Sequence, residues 1–341
     1  MRIQGSAYRR PGAKLLIEQS GETKGGVSGG CLEADVRELA LSALEGGGAL
    51  LRHYETGGDG DELWGLGLGC NGSIDVFISP VTTEAALGVI DRARRELARQ
   101  GVFAWATVVE GESDGGMLFV ADGAATGGTT GDAELDRAIA SRAAGLIEVG
   151  TGALVEIEGS RVFIDVLVPP PRLLVVGAGD DAMPLVAYAS DVGFRVSVVD
   201  HRESLLTSER FPAAFERTCV THGQPFDSSR IAPTSYAVVM THSLARDRGW
   251  VERLLATDVR YIGVLGPRVR TRDMLDILRA DGDARIFGPA GLDVGADGPE
   301  QVALSIVAEL LACHRRRGAG HLRERGGAIH APAEQETTKE A

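Results

Sequence analysis

Only four cysteines are scattered over 341 residues. With no CxxC pair and no matching histidine spacing, they encode neither a disulfide framework nor a structural zinc site. Long apolar runs are missing as well: no stretch approaches the roughly 18 residues that a membrane-spanning helix needs. The first ten residues, Met1 to Arg10, carry charge but lack the apolar core of a secretory signal. Basic residues are in deficit, 35 against 48 acidic ones, and the formal charge of −13 opposes nonspecific attraction to nucleic acid or anionic membranes. The chain therefore reads as a cytoplasmic protein with no nucleic-acid and no membrane partner. Any phosphate it binds has to be held locally, by loops.

What is present is 44% apolar and long enough for two domains. The triple proline Pro169-Pro170-Pro171 cannot continue a helix or sit in a central strand, and it marks the boundary. Before it, strand-like runs such as Lys14 to Glu18 and Ser73 to Ile78 alternate with glycine turns. Helical runs cover about Ala34 to Glu45 and about Thr83 to Gln100. This mixture predicts an α+β domain over 1–168, with the glycine- and threonine-rich patch Gly123 to Gly131 as a surface loop. Residues 169–318 form the second domain. From 319 the chain is read as a disordered tail, because after Arg323 it turns polar and small and its last stretch, Glu334 to Ala341, has no apolar residue to anchor it.

The second domain begins with the apolar strand Arg172 to Val176, which runs into Gly177-Ala178-Gly179-Asp180-Asp181-Ala182 and then a helical run from about Met183 to Val192. This is a GxGxxA dinucleotide fingerprint in its strand-turn-helix context. The next strand ends in Asp200, about 20 residues beyond the turn, where an acid can accept hydrogen bonds from a ribose. The fold class is therefore α/β, an amino-terminal α+β domain followed by a Rossmann-like doubly wound parallel sheet. Asp180 and Asp181 place negative charge where a pyrophosphate would lie, so nucleotide binding stays open. Two later strands end in Thr241-His242-Ser243 and Gly266-Pro267-Arg268, and ligands of open α/β sheets bind at such ends. His242 is a proton donor, a ligand or a hydrogen-bonded structural residue. Arg268, Arg270 and Arg272 clamp a phosphate or line a solvated helix face.

The first domain carries a more unusual arrangement. Gly25-Gly26-Val27-Ser28-Gly29-Gly30 leads into Cys31 and a helix-like run from Leu32 to Ala40. Amides and the positive end of a helix dipole favour an anion at such a place, and the same field favours thiolate. The loop would hold a phosphate on Ser28, Gly29 and Gly30 and present the Cys31 sulfur beside it. A small cysteine packed behind a glycine turn is the other reading of the same residues. Cys70 lies in a similar setting, Gly65 to Gly72, where glycines permit close approach to a ligand. Cys219 and Cys313, in strand-like and helical apolar surroundings, read as packing residues.

Together these segments resemble the XdhC/CoxI family. The resemblance rests on Gly5 to Ala13, Ser28-Gly29-Gly30-Cys31-Leu32-Glu33, Gly69-Cys70, Tyr261 to Gly266, and Gly288 to Ala296 with Pro299-Glu300 and Ala303 to Glu309. Asn71 and Asp180 depart from it, standing where many relatives have glycine and histidine. The resemblance implies a maturation factor, more a chaperone than an enzyme. Such a factor binds molybdenum cofactor (molybdopterin) and delivers it, with or without sulfuration, to a xanthine dehydrogenase-type or carbon monoxide dehydrogenase-type molybdoenzyme. It makes Cys31 the metal or sulfur ligand and Cys70 the second candidate. The implied partners are the client molybdoenzyme, a cysteine desulfurase and a second copy of the chain. The remaining cofactor-site candidates are Gly177, Gly179, Asp200 and Arg268. The alternative they carry is an NAD(P)-dependent oxidoreductase, with His242 as its proton donor.

Overall fold

A computed structural model of the chain describes residues 3–5, 12–28, 30, 32–46, 48–56, 72–221, 235–280 and 282–324. Gly29, Cys31, Cys70, Asn71 and the tail from residue 325 lie outside them. The chain divides into two compact units, Met1–Pro169 and Pro170–Ala341.

The first unit starts with β1 (Ile3–Gly5), a hairpin of β2 (Leu15–Ile17) and β3 (Thr23–Gly25), and α1 (Glu33–Gly46). β4 (Leu50–Thr56) and β5 (Gly72–Ile78) follow, and β1, β5 and β4 form an antiparallel sheet in that order. Val36, Ala40 and Ala43 recur at helical spacing, so α1 buries one stripe against Val76 and Ile78. That packing fixes the start of α1, where the cysteine loop ends.

The rest of this unit is α2 (Glu84–Arg99), β6 (Phe103–Glu110), β7 (Met117–Ala121), β8 (Ala124–Thr129), α3 (Ala133–Val149), β9 (Ala153–Ile157) and β10 (Ser160–Leu167). α2 opens on Thr83, whose hydroxyl oxygen accepts from the Ala86 amide at 3.2 Å. α3 opens on Asp132, which accepts from Glu134 and Leu135. The strands pair antiparallel in the order β8-β7-β6-β10-β9. Strand alternation sends Phe103, Met117 and Phe119 toward Val89 and Ala93 of α2, and Ala104, Ala106, Leu118 and Val120 toward Leu135 and Ile139 of α3. With a helix on each face, β7 is buried at every residue.

β8 corrects the expectation of a loop over Gly123 to Gly131. The segment is an edge strand on β7 with a register shift opposite Phe119 and Val120. Its glycines are steric: Gly128 has φ of 74°, and at both Gly127 and Gly128 a side chain would clash, with Arg92 and with the Met117 carbonyl respectively.

The second unit bears out the doubly wound expectation. β11 (Arg172–Val176), α4 (Ala182–Asp191), β12 (Arg195–Asp200), β13 (Glu216–Cys219), β14 (Tyr236–Val239), α5 (Leu244–Leu255), β15 (Tyr261–Val264), α6 (Arg268–Leu278), β16 (Ile286–Phe287) and α7 (Pro299–Arg315) follow in chain order. All neighbouring strands run parallel, in the order β13-β12-β11-β14-β15-β16. This is the Rossmann order, with its reversal between β11 and β14. α4 and α7 cover one face, over Val175, Val198 and Val238. α5 and α6 cover the other, over Val176, Val199 and Ile262. Buried on both faces, the strands need continuous apolar runs, and each buried valine or isoleucine stabilises the sheet by roughly 1.5–3 kcal/mol.

Candidate functional site

Two glycine-rich turns lead into helices, and each is built around a carboxylate of the chain itself. Before α1, Glu33 reaches back over the loop. One of its oxygens accepts from the Val27 amide at 3.1 Å and the Ser28 amide at 2.8 Å, and the other accepts from the Ser28 hydroxyl. The Ser28 oxygen in turn accepts from the amides of Gly30 at 3.2 Å and Leu32 at 3.1 Å. Burial works to raise the Glu33 carboxyl, but the Ser28 hydroxyl and the loop amides outweigh it and hold it below the ordinary range. Gly30 has φ of 112°, and Leu32 is buried. Among the described residues, the amides of Val27, Ser28, Gly30 and Leu32, which the glycine pattern offers to an external anion, are therefore satisfied from within. Gly29, Cys31 and Cys70 lie outside the described residues. Ser28 is a strut of this loop, and Glu33, which the sequence pattern did not single out, is its centre.

Before α4, Gly177 takes φ of 121° because the end of β14 passes directly beneath it, and a side chain there would collide with the Met240 carbonyl. Ala182, at the third fingerprint position, is fully buried between helix and sheet. Asp200 does not face outward toward a ribose: its side chain is 1% exposed. It accepts from the Ala178 amide at 2.7 Å, the Arg202 amide at 2.8 Å, and Nε and Nη2 of the Arg202 guanidinium at 3.0 and 2.8 Å. His201 Nδ1 lies 2.8 Å away. Burial would raise this carboxyl; the bonds from Arg202 and Ala178 keep it far below the usual carboxylate range. Arg202 and Arg210 were not anticipated. Arg202 sits two residues from its acid, a usable local signal, but Arg210 arrives from a distant segment to meet Asp180 at 2.7 Å and the Ala178 carbonyl at 3.2 Å.

At the ends of the next strands, His242 holds φ of 59° and places Nε2 2.8 Å from the Asp181 carboxylate. Asp181 consequently makes no side-chain cap to α4. Asp247, fully buried, accepts from the Thr241 amide at 3.1 Å, from the Thr241 hydroxyl at 2.6 Å, and from Arg270. Arg268, Arg270 and Arg272 do not share one role: Arg270 is committed to Asp247, while Arg268 and Arg272 are exposed on α6. Cys219, on β13, directs its sulfur to the His201 carbonyl at 3.7 Å. Burial raises the Cys313 thiol, as expected for a packing residue.

Residues 173–310 match the family described as the XdhC Rossmann domain, and residues 1–55 match the XdhC and CoxI family. A protein of Bacillus subtilis described as a probable subunit of xanthine dehydrogenase is 32% identical over 320 residues, covering 93% of this chain and 92% of that protein. The chain belongs to the XdhC/CoxI family. A crystal structure from Bacillus halodurans, described as a xanthine dehydrogenase, superposes on this XdhC/CoxI chain with a TM-score of 0.78 at 30% identity, covering 94% of this chain and 92% of that one. The uncharacterized protein YqeB of Escherichia coli is 30% identical over 159 residues, 44% of this chain and 28% of YqeB. Among the described residues, no cluster of three or more His, Cys, Asp or Glu is arranged to hold a metal ion, and no helix is long and apolar enough to cross a membrane.

Proposed function

We propose that this XdhC/CoxI protein is an accessory factor that binds molybdenum cofactor through its first unit and passes it, with or without sulfuration, to a molybdoenzyme of the xanthine dehydrogenase or carbon monoxide dehydrogenase type. The observation that carries this reading is end-to-end similarity, across both units, to a protein described as a probable component of xanthine dehydrogenase. The chemistry of the cysteine loop fits one end of such a cofactor. A thiophilic metal takes a soft sulfur donor, which Cys31 supplies, with Cys70 as the second candidate. The phosphate end does not fit the amides of Val27 and Ser28, because the Glu33 carboxylate already occupies them. Cys31 therefore meets the metal end, and the phosphate binds elsewhere. The partners in this reading are the client enzyme, a cysteine desulfurase as sulfur source and a second copy of the chain, all in the cytoplasm.

The test is anaerobic titration of the purified chain with molybdenum cofactor, beside Cys31→Ser and Cys70→Ser. Saturable binding that weakens about tenfold or more in Cys31→Ser, with an unchanged melting temperature, is expected. Equal retention by Cys31→Ser would remove the sulfur-ligand assignment, and no binding at all would remove the cofactor reading.

A further inference from the structure

A Rossmann fingerprint binds a dinucleotide through three provisions: free amides at the helix start, space over the second glycine for the pyrophosphate, and an outward acid for the ribose. In the second unit groups of the chain itself stand at each of the three. The Ala178 amide is bonded to Asp200, and the first two amides of α4, those of Ala182 and Met183, bond at 3.2 Å to the carbonyls of Gly179 and Asp180. The space over Gly179 is filled: the position a side-chain carbon would take lies 2.6 Å from Asp181 Oδ1 and 3.8 Å from His242 Nε2. The ribose acid, Asp200, is buried under Arg202.

We infer that this crevice is closed to NAD and NADP, with the Asp181 carboxylate, pinned by His242, standing in the place of the pyrophosphate. The exclusion has an electrostatic and a steric part. A pyrophosphate would meet a carboxylate of like charge at the point where the fold brings it nearest the backbone, and displacing that carboxylate breaks its contact with His242. Asp180, beside it, adds a second negative charge, paired with Arg210. The Rossmann-like unit thus keeps the fold and the glycines of a dinucleotide site without its vacancy, and the redox alternative loses its cofactor. Closure of this crevice is independent of the molybdenum cofactor reading, since it is carried by residues of the second unit and tested by nucleotide binding alone.

The experiment titrates the full chain with NAD+, NADP+, NADH and NADPH, by calorimetry and by reduced-nicotinamide fluorescence. A second protein carries Asp181→Ser and His242→Asn, asparagine being tolerant of the left-handed backbone at that position. The natural chain is expected to show no saturable binding, and the double variant a gain of about tenfold or more for at least one dinucleotide. Saturable binding to the natural chain would overturn the inference. So would a double variant that melts as the natural chain does and still binds nothing, because the closure would then not reside in Asp181. A variant that fails to fold is replaced by Asp181→Ser alone, read by the same criterion.

Discussion

The turn before α1 and the turn before α4 use one device at two ranges. In the first, the carboxylate that fills the loop is Glu33, five residues from Ser28 and part of the helix that the loop feeds. In the second, the filling groups come from afar: Asp200 lies 22 residues from Ala178, and His242 lies 61 residues from Asp181. The first turn closes as its own helix forms. The second closes only when β11, β12 and β14 are assembled side by side. Glycine-rich sequence before a helix thus identifies a place where amides converge, but not whether the partner is a ligand or the chain.

Substitution of the glycines tests this comparison most severely. Gly177→Ala forces a side chain into the Met240 carbonyl at positive φ, and should cost about 3 kcal/mol or more, read as a fall in the melting transition of the second unit. Gly30→Ala has similar φ but nothing within 4 Å, and should cost only about 1 kcal/mol. Equal losses would break the distinction between a turn packed by tertiary neighbours and one that is merely bent.

Removal of the carboxylates comes next. Asp200→Ala strips bonds from Ala178 and Arg202 and should cost about 2–3 kcal/mol, below the full value for a buried pair because Arg202 is partly exposed. Glu33→Ala should cost about 1–2 kcal/mol, and hydrogen exchange should rise in residues 27–36 and not in the second unit. Both carboxyls titrate below their unfolded values of about 3.9 and 4.3. The support each gives is therefore complete above about pH 5 and lost as the pH falls through the folded value. Asp200→Asn should flatten the acid limb of stability against pH more than Glu33→Gln does; the reverse order would overturn the ranking.

The smallest effect concerns His314 on α7, whose ring nitrogen lies 3.2 Å from the Tyr236 hydroxyl. Burial, then the charges of Arg315 and Arg260, hold its pKa below the ordinary histidine value. The unfolded chain takes up the proton first as the pH drops below about 6.5, so stability declines there. His314→Gln should remove a slope of a few tenths of a kcal/mol, measurable by denaturant titration at pH 7 and 5.5.

Much of the fold was legible in the sequence because its signals are local. The apolar runs Arg172 to Val176, Ala237 to Met240 and Tyr261 to Leu265, each followed by glycine or a polar turn, required a buried parallel sheet. The helical periods of α1 and α2 lie within about a residue of their expected ends. β8 was not legible, since glycine and threonine in a strand read as loop until Arg92 and β7 are seen to demand their smallness. Of the candidate site, Ser28, Gly177, Asp200 and His242 were found by position. What each one bonds was not found by position.

The sequence by itself determined two units, a doubly wound sheet in the second, a cysteine placed at a glycine-rich helix start, and membership of the XdhC/CoxI family. These follow from periodicity, from residues with restricted backbone freedom and from motif order, all properties of neighbours along the chain. The tertiary structure alone decided that Asp200 turns inward, that Asp181 pairs with His242 over Gly179, and that Arg210 is brought to Asp180. A charged group satisfies itself with whatever partner the packed sheet brings within reach, and only folding places that partner there.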